Sequence, residues 1–247
     1  MDKLLYVAAS GASQDFLGTA VRANNLANAQ TNGFKAQLEQ ARAMPAFGDG
    51  LPTRVFAMSE SPGNDYTGGP MIQTGRELDV AIQGEGWFAV LDANGNEAYS
   101  RNGSFQLNAN GQLEDSFGNT ILGDGGPLTL PIPLSNINIA NDGVISIRLQ
   151  GAPENAIEEV GRLSLVNPDV RQMERGGDGL FRMKDGTQAA PAAEVQVMSG
   201  MLEGSNVNPV EEMVNLINLQ RHYEMQVKLM KQAEELDQRG NQLLRLI

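Results

Sequence analysis

The chain has 247 residues, of which 41% are hydrophobic and 19% are charged, and its formal net charge at pH 7 is −12. This composition excludes a membrane-embedded or disordered chain, and the length allows one large or two modest domains with a buried core. The absence of cysteine excludes disulfides and thiol chemistry.

Charge is distributed unevenly along the chain. Residues 1–35 carry +1 and residues 200–247 carry −2, so the remaining −11 lies between them. Nearly neutral ends can pack against copies of themselves, whereas the acidic middle repels polyanions, so nucleic acid is not expected as a partner. The sequence contains neither the run of roughly 18 apolar residues that a direct membrane span needs nor the apolar core of a cleaved signal peptide.

The first 28 residues predict a helix with an apolar stripe. Its members recur at heptad spacing: Leu5, Ala9, Ala12, Phe16, Thr19, Ala23 and Leu26. We expect the helix to end near Asn28, because the following Thr31-Asn32-Gly33 is typical of a turn. Asn24, Asn25 and Asn28 leave two interpretations open: helix-end hydrogen bonds, or a polar network that sets the register between neighbouring subunits.

Residues 36–74 form the next region. Their prolines and glycines predict no long helix or strand, yet the region holds too many apolar residues for a free linker. We therefore expect an extended connector, docked either on its own β-domain or on a neighbouring subunit.

Residues 75–199 carry the signals of a β-rich domain. Turn sequences follow one another about every ten residues, at 92–96, 108–111 and 116–119 for example, and strand-forming residues flank the first two. This spacing predicts antiparallel strands in a sandwich or barrel-like domain. Gly84 and Gly86 are not part of a phosphate loop, because the lysine and the following helix of such a loop are missing. These glycines are instead expected to bend the chain beside Trp87.

A second long helix is predicted from Pro209. Asn208 can cap it, Pro209 suits the first helical position, and Glu211 can reach back to the cap. Its apolar stripe extends over roughly 35 residues and contains Val210, Met213, Ile217, Tyr223, Val227, Met230, Leu244 and Ile247. The N- and C-terminal stripes both need a partner, and each can be the other's.

No enzymatic site is expected. His222 is the only histidine, and there is no cysteine with which it could share a metal. The adjacent carboxylates Glu114-Asp115, Glu158-Glu159 and Glu234-Glu235 do not resemble an acid/base pair, because sequence neighbours on a strand point to opposite faces. We expect no catalytic residue, no cofactor and no metal.

Four ordered motifs resemble the bacterial flagellar rod and hook protein family. They are NNLAN at 24–28 with TNGFK at 31–35, LDVAIQGEGWF at 78–88, YSRNGSF at 99–105, and LEGSNVN at 202–208. The resemblance therefore covers both ends and the middle of the chain. Within the family, residues 178–182 and 197–207 are more similar to the proximal rod form, whereas Asn32-Gly33-Phe34 is similar to the distal rod and hook form.

The resemblance implies a mixed, mostly β fold with a discontinuous helical domain. Residues 1–35 and 200–247 would pair as a coiled coil and form the assembly domain, residues 36–74 would be a connector, and residues 75–199 would form a central antiparallel β-domain. The assembly interface would contain Leu5, Ala12, Phe16, Asn24, Asn25, Leu26, Asn28, Phe34, Met213, Ile217, Tyr223, Val227, Met230 and Leu244.

The function that the resemblance implies is structural. Such a protein would be a non-enzymatic subunit of the proximal rod of the flagellar basal body, polymerising in the periplasmic space through its terminal helices to transmit torque from motor to hook. Its partners would be itself, the other proximal and distal rod proteins, and the flagellar type III export apparatus, which needs no cleaved signal peptide. Two alternatives remain open: a distal rod subunit of the same family, and a glycan-binding or wall-associated β-domain protein.

Overall fold

The expected combination of two terminal helices with antiparallel strands between them is confirmed by a computed structural model, which describes residues 2–45, 55–151, 153 and 156–244. The N-terminal helix α1 spans Asp2–Ala27, and the C-terminal helix α2 spans Pro209–Leu244. The strands are, in chain order, β1 Gln37–Pro45, β2 Val55–Asn64, β3 Met71–Gln73, β4 Val80–Gln83, β5 Trp87–Leu91, β6 Glu97–Ser100, β7 Phe105–Leu107, β8 Leu113–Asp115, β9 Thr120–Gly123, β10 Gly126–Pro127, β11 Leu134–Ile139, β12 Val144–Leu149, β13 Glu158–Arg162, β14 Leu165–Val166, β15 Met173–Arg175, β16 Phe181–Met183, β17 Gln196–Ser199 and β18 Met201–Glu203. A short 3-10 helix, Val170–Gln172, precedes β15. Among the described residues, no helix offers a stretch long and apolar enough to cross a membrane.

Both predicted helix boundaries are confirmed. α1 ends at Ala27, directly before the asparagine-rich turn. At the start of α2, the side chain of Asn208 accepts hydrogen bonds from the backbone N–H groups of Val210 and Glu211 at 3.1 and 3.4 Å. The cap therefore satisfies two donors that have no partner inside the helix.

Contacts between residues divide the chain into two compact units. The first unit consists of Met1–Ala29, Ala36–Asp65 and Val207–Ile247, and it contains α1, α2, β1 and β2. The second unit consists of Gln30–Lys35 and Tyr66–Asn206, and it contains all the other strands.

In the first unit, β1 and β2 form a long antiparallel hairpin, so the expectation that residues 36–74 hold no long strand was wrong. The pairing runs from Gln37 opposite Asn64 to Pro45 opposite Val55, and its register shifts between Leu38 and Gln40. The extra residue of this bulge lies in the part of β2 that contains Pro62. Proline is tolerated there because a two-stranded hairpin has unpaired outer edges and a bulge interrupts the hydrogen-bond ladder. Residues 46–54, also assigned to the connector, lie outside the described residues.

The second unit is built from antiparallel sheets. The largest has the strand order β15-β16-β6-β5-β9-β8-β7, with β10 paired to β9 and β14 paired to β5. β11, β12 and β13 form a three-stranded sheet, and the late strands β17 and β18 return to pair with β4 and β3, respectively. The two ends of this unit are thus joined by main-chain hydrogen bonds.

Three of the predicted turns are confirmed and share one mechanism. The side chains of Asp92, Asn108 and Asp115 each accept hydrogen bonds from backbone N–H groups two and four residues further on, at 2.8–2.9 Å. A short polar side chain at the first turn position replaces the missing backbone partner. This local bonding explains why the turns could be recognised in the sequence.

Strand β5 is buried on both of its faces. Phe88 and Val90 belong to the main core, where Phe88 meets Phe105 edge to face at 5.1 Å between ring centroids. Trp87 and Ala89 belong to a second cluster with Tyr99, Val166, Met173 and Phe181. The continuous apolar run of β5 therefore reflects a strand with a packed layer on each side.

The bend expected at Gly84 and Gly86 is confirmed. Their φ angles are +84° and +134°, values that residues with a side chain rarely adopt. The bend separates β4, which pairs with β17, from β5 in the large sheet.

The turn between β5 and β6 generates a prediction about acid stability. The backbone N–H of Asn96 and, at 2.8 Å, the guanidinium of Arg182 lower the pKa of Asp92 to about 2 from its ordinary value of 3.8. Because the folded-state pKa is depressed, the ionised group stabilises the fold above its unfolded pKa, and this stabilisation is lost as pH falls from about 4 to 2. We expect Asp92→Asn to show a smaller drop in melting temperature than the unmodified protein between pH 4 and pH 2.

Thermal unfolding followed by circular dichroism at several pH values measures this drop, with Asp124→Asn in an exposed turn as the control. An unchanged pH dependence in Asp92→Asn would contradict the prediction.

Candidate functional site

Two passages of the chain lie side by side in the second unit. One is Gly33–Lys35, which follows α1, and the other is Glu203–Asn206, which precedes α2. The N–H of Gly33 donates to the carbonyl of Glu203 at 2.7 Å, and the N–H of Asn206 donates to the carbonyl of Phe34 at 3.3 Å. We call these two passages, together with Arg101, the junction.

A buried carboxylate between two cations holds the junction. Lys35 Nζ lies 2.6 Å from Glu203 Oε1, and Arg101 Nη1 lies 2.9 Å from Glu203 Oε2. All three residues are buried: Lys35 and Glu203 are each 1% exposed and Arg101 is 7% exposed. Charge-assisted hydrogen bonds of this length are the strong class, and they offset the cost of removing the ions from water.

Backbone groups supply further hydrogen bonds to these ions, whereas Arg101 Nε is buried without a hydrogen-bond partner among the described residues. The N–H of Gly69 donates to Glu203 Oε1 at 3.0 Å, Lys35 Nζ donates to the carbonyl of Thr67 at 2.7 Å, and Arg101 Nη2 donates to the carbonyl of Gly84 at 2.7 Å. Burial lowers the pKa of Arg101, and the nearby charge of Glu203 opposes that shift. The junction thus binds several loops of the second unit through one carboxylate.

Gly33 makes the close approach possible. Its φ angle is +69°, and a Cβ atom at this position would lie 2.3 Å from the carbonyl carbon of Arg101. Any side chain would therefore collide with backbone that cannot move aside. The predicted turn is confirmed here by the hydrogen bond from the N–H of Phe34 to the carbonyl of Thr31.

Aromatic rings surround the ions. The Arg101 guanidinium lies 5.4 Å from the centroid of Trp87, and Trp87 packs at 4.6 Å on Phe181. The Arg175 guanidinium lies 4.3 Å from the centroid of Phe34, which is itself buried. These contacts add cation–π attraction and exclude water from the ion pairs.

The junction brings together segments of the four motifs that carry the family resemblance. Reasoning from the sequence named Phe34 but missed Lys35, Arg101 and Glu203 as a group. Glu203 is separated by 168 residues from Lys35 and by 102 from Arg101. The sequence feature that could have pointed to this group is a charged residue in each of three motifs that otherwise contain mainly apolar and turn-forming residues.

The first unit has its own polar network, centred on Asn25. Its side chain, which is fully buried, donates to the carbonyl of Gln37 and accepts from the N–H of the same residue, both at 2.9 Å. It also donates to Glu212 at 3.2 Å, and Arg22 donates to the same carboxylate at 3.1 Å. Asn25 therefore ties α1 to β1 and α2 within one subunit, whereas Asn28 bonds the carbonyl of Asn24 at the helix end.

The structure places the predicted interface residues in three classes. Ala12, Asn25 and Phe34 are buried inside the chain; Leu5, Leu26, Asn28, Val227 and Met230 are half-buried; and Phe16, Asn24, Met213, Ile217 and Tyr223 are exposed. The side chain of Leu244 and the whole of Ile247 lie outside the described residues. Where side chains are described, no three His, Cys, Asp or Glu residues cluster as metal ligands.

The apolar stripe of α1 faces two directions. Leu5, Ala12, Thr19 and Leu26 lie on the side that is at least half-buried, but Ala9, Phe16 and Ala23 are exposed. The covered side of the helix contains the residues that directly precede these three, namely Ala8, Asp15 and Arg22. Heptad spacing indicated the period correctly, but it did not indicate which side of the helix is covered.

The buried ion pairs generate a prediction about stability. Glu203→Gln leaves Lys35 and Arg101 buried without a counter-charge, which is expected to cost about 3–5 kcal/mol in the free energy of unfolding. Urea denaturation measures the difference. The matched control, exposed Glu194→Gln, should stay within about 0.5 kcal/mol of the unmodified protein, and equal effects of the two substitutions would contradict the assignment.

The Asn25 network generates a second prediction. Asn25→Ala removes both hydrogen bonds to Gln37 and should destabilise that contact by about 2 kcal/mol, which corresponds to roughly 30-fold faster amide exchange. Hydrogen–deuterium exchange of the peptide containing Gln37 tests this. Asn24→Ala, at an exposed position, should leave that exchange rate unchanged; protection retained in Asn25→Ala would rule out the proposed role.

Comparison with known proteins agrees with the motifs. A family model described as "Flagellar basal body rod FlgEFG protein C-terminal" matches residues 198–243, and one described as "Flagellar hook protein FlgE/F/G D1 domain" matches residues 81–147. The flagellar basal-body rod proteins FlgF of Salmonella typhimurium and Escherichia coli are each 45% identical over 250 residues, covering 99% of both chains. The rod protein FlgG of Buchnera aphidicola is 32% identical over 97% of this chain and 98% of its own. The chain therefore belongs to the family of flagellar basal-body rod proteins.

Proposed function

We propose that this chain is a structural subunit of the proximal flagellar rod, which polymerises through its terminal helices and transmits torque from motor to hook. The observation that carries the proposal is the 45% identity to FlgF rod proteins along 99% of both chains. The similarity extends over the whole length of the chain, so it includes both the helices and the β-rich region.

Exposed apolar side chains on both helices support assembly through them. Phe16 on α1 is 66% exposed, and Met213 and Ile217 on α2 are 46% and 52% exposed. Met213 and Ile217 lie one helical turn apart, and neighbouring exposed apolar side chains of this kind mark interaction sites in soluble proteins. A head-to-tail contact that does not close into a ring would cover these faces and extend the assembly into a filament.

We also propose that α1 and α2 pair as a coiled coil in the assembled rod. The two helices contact each other in the first unit, where Arg22 and Asn25 bond Glu212. On α2, the residues that are at least half-buried stand one, three or seven positions apart and share one side of the helix, consistent with a helical seam: Glu212, Asn215, Leu216, Leu219, Gln226, Val227, Met230 and Ala233.

The proposal keeps the functional division derived from the sequence. Residues 1–35 and 200–247 act in assembly, residues 75–199 form the central β-domain, and residues 36–74 connect them. The β1–β2 hairpin supports a bracing role for the connector, because a two-stranded ribbon retains unpaired edges.

The proposed setting is the rod of the basal body in the periplasmic space, reached through the flagellar type III export apparatus without a cleaved signal peptide. The proposed partners are further copies of this chain and the other proximal and distal rod proteins. The role is structural rather than enzymatic, in agreement with the rod proteins to which the chain is similar. A distal rod role is the alternative, favoured by the 32% identity to a FlgG protein.

Substitution on the exposed face of α2 tests the proposal. Ile217→Lys places a charge on the apolar face, and we expect at least a tenfold loss of the protein from purified basal bodies with little change in monomer stability. Immunoblotting of purified basal bodies measures incorporation, and electron cryomicroscopy locates the subunit along the rod. Asn218→Lys, at the adjacent exposed polar position, is the control; absence of the unmodified protein from basal bodies would refute the proposal, and density next to the hook would favour the distal role.

A further inference from the structure

Arg175 differs from the other arginines of the junction region in its ionic partners. Arg101 is paired with Glu203, and Arg182 is paired with Asp92 and Asp178 at 2.8 and 2.6 Å. Within the described residues, Arg175 makes no ion pair, and its hydrogen bond to the carbonyl of Lys35 is long, at 3.4 Å. Burial lowers the pKa of Arg175 and the negative charge of Asp178 opposes this shift, but the Asp178 carboxylate is already bound by Arg182.

The guanidinium of Arg175 is nevertheless held in a defined position. It lies over the ring of Phe34 at 4.3 Å and near the ring of Phe181 at 6.0 Å. Phe34 and Phe181 are both buried, so they form a fixed platform beneath the cation. A planar guanidinium on such a platform presents its remaining N–H donors in a fork that matches a carboxylate.

The position of Arg175 in the sheet leaves it accessible. It is the last residue of β15, which is the outermost strand of the large sheet and pairs only with β16 among the described strands. The residue itself is half-buried, and its partial desolvation lowers its pKa. A partly desolvated cation without a counter-ion gains more from an arriving carboxylate than a fully hydrated one does.

We propose that Arg175 and its Phe34–Phe181 platform form a docking site for a carboxylate of a second copy of this chain. The charge balance favours this occupant, because the chain carries 30 acidic and 18 basic residues and residues 36–199 carry −11. A neighbouring copy therefore presents abundant carboxylates to a site that has an unpaired cation. The inference rests on the proposed function, since an assembled rod places copies of the chain next to one another.

Zero-length cross-linking in assembled rods tests the site. Arg175→Lys keeps the positive charge and supplies an amine, which a carbodiimide joins to a contacting carboxylate as an amide with loss of water. We expect a product of about twice the 26.5 kDa monomer mass in purified basal bodies, and mass spectrometry should connect position 175 to an acidic residue of the same protein. Arg182→Lys, whose cation already has two carboxylate partners in its own chain, is the matched control and should give coupling within one chain only.

The outcomes distinguish failure of the proposed function from failure of the docking site. Absence of the unmodified protein from basal bodies overturns both the proposed function and the docking site. Incorporation of Arg175→Lys with coupling only inside its own chain, only to a different protein, or not at all overturns the docking site alone.

A second variant separates docking from folding. Arg175→Met retains an apolar contact with Phe34 but removes the charge, so the purified protein should stay folded, losing only the small cation–π contribution to its melting temperature, while incorporation into basal bodies falls about tenfold. A lowered melting temperature with normal incorporation would assign Arg175 a purely internal role and overturn the proposal.

Discussion

The second unit depends on one carboxylate, that of Glu203, placed between Lys35 and Arg101 out of contact with water. Buried ions are tolerated when most of the charges and donors around them are matched, so the surrounding segments must reach their positions together. Backbone groups of Thr67, Gly69 and Gly84 take part in the same network. The cost of leaving any of these groups unmatched makes the arrangement specific, and this specificity connects the passage after α1 to the passage before α2.

The family motifs follow from this constraint and from the two-sided burial of β5. Gly33 is required because backbone approaches backbone, and the glycines before Trp87 turn the chain into a strand that is packed on both faces. Aromatic rings then shield the ions on one side of that strand. The motif residues lie far apart in the sequence but take part in one packed arrangement. This structural role accounts for the motifs without any catalytic role.

The two units differ in what they leave exposed. In the second unit, most large apolar residues are gathered into two cores, although Phe117 and Ile157 are each 68% exposed, and Arg175 at the sheet edge makes no ion pair with any described residue. In the first unit, the helices satisfy their inner faces with small and polar residues such as Ala12 and Asn25, while larger apolar residues such as Phe16 and Ile217 face outward. In the proposed rod, neighbouring subunits would complete the apolar burial of these helices.

The sequence by itself determined the features that depend on neighbours within about four residues: the end of α1, the Asn208 cap, the hairpin turns and the bend before Trp87. The tertiary structure alone decided which side of α1 is covered, the pairing of β1 with β2, and the meeting of Lys35, Arg101 and Glu203. Helical period is a local property, but the phase of a stripe depends on the surface that packs against it. Proline and glycine likewise indicate weak strands, but a hairpin with free edges and a bulge can accommodate them. For ion pairs across more than a hundred residues, the sequence shows the charged residues but not which of them pair, because the partners are specified by the fold and not by spacing in the chain.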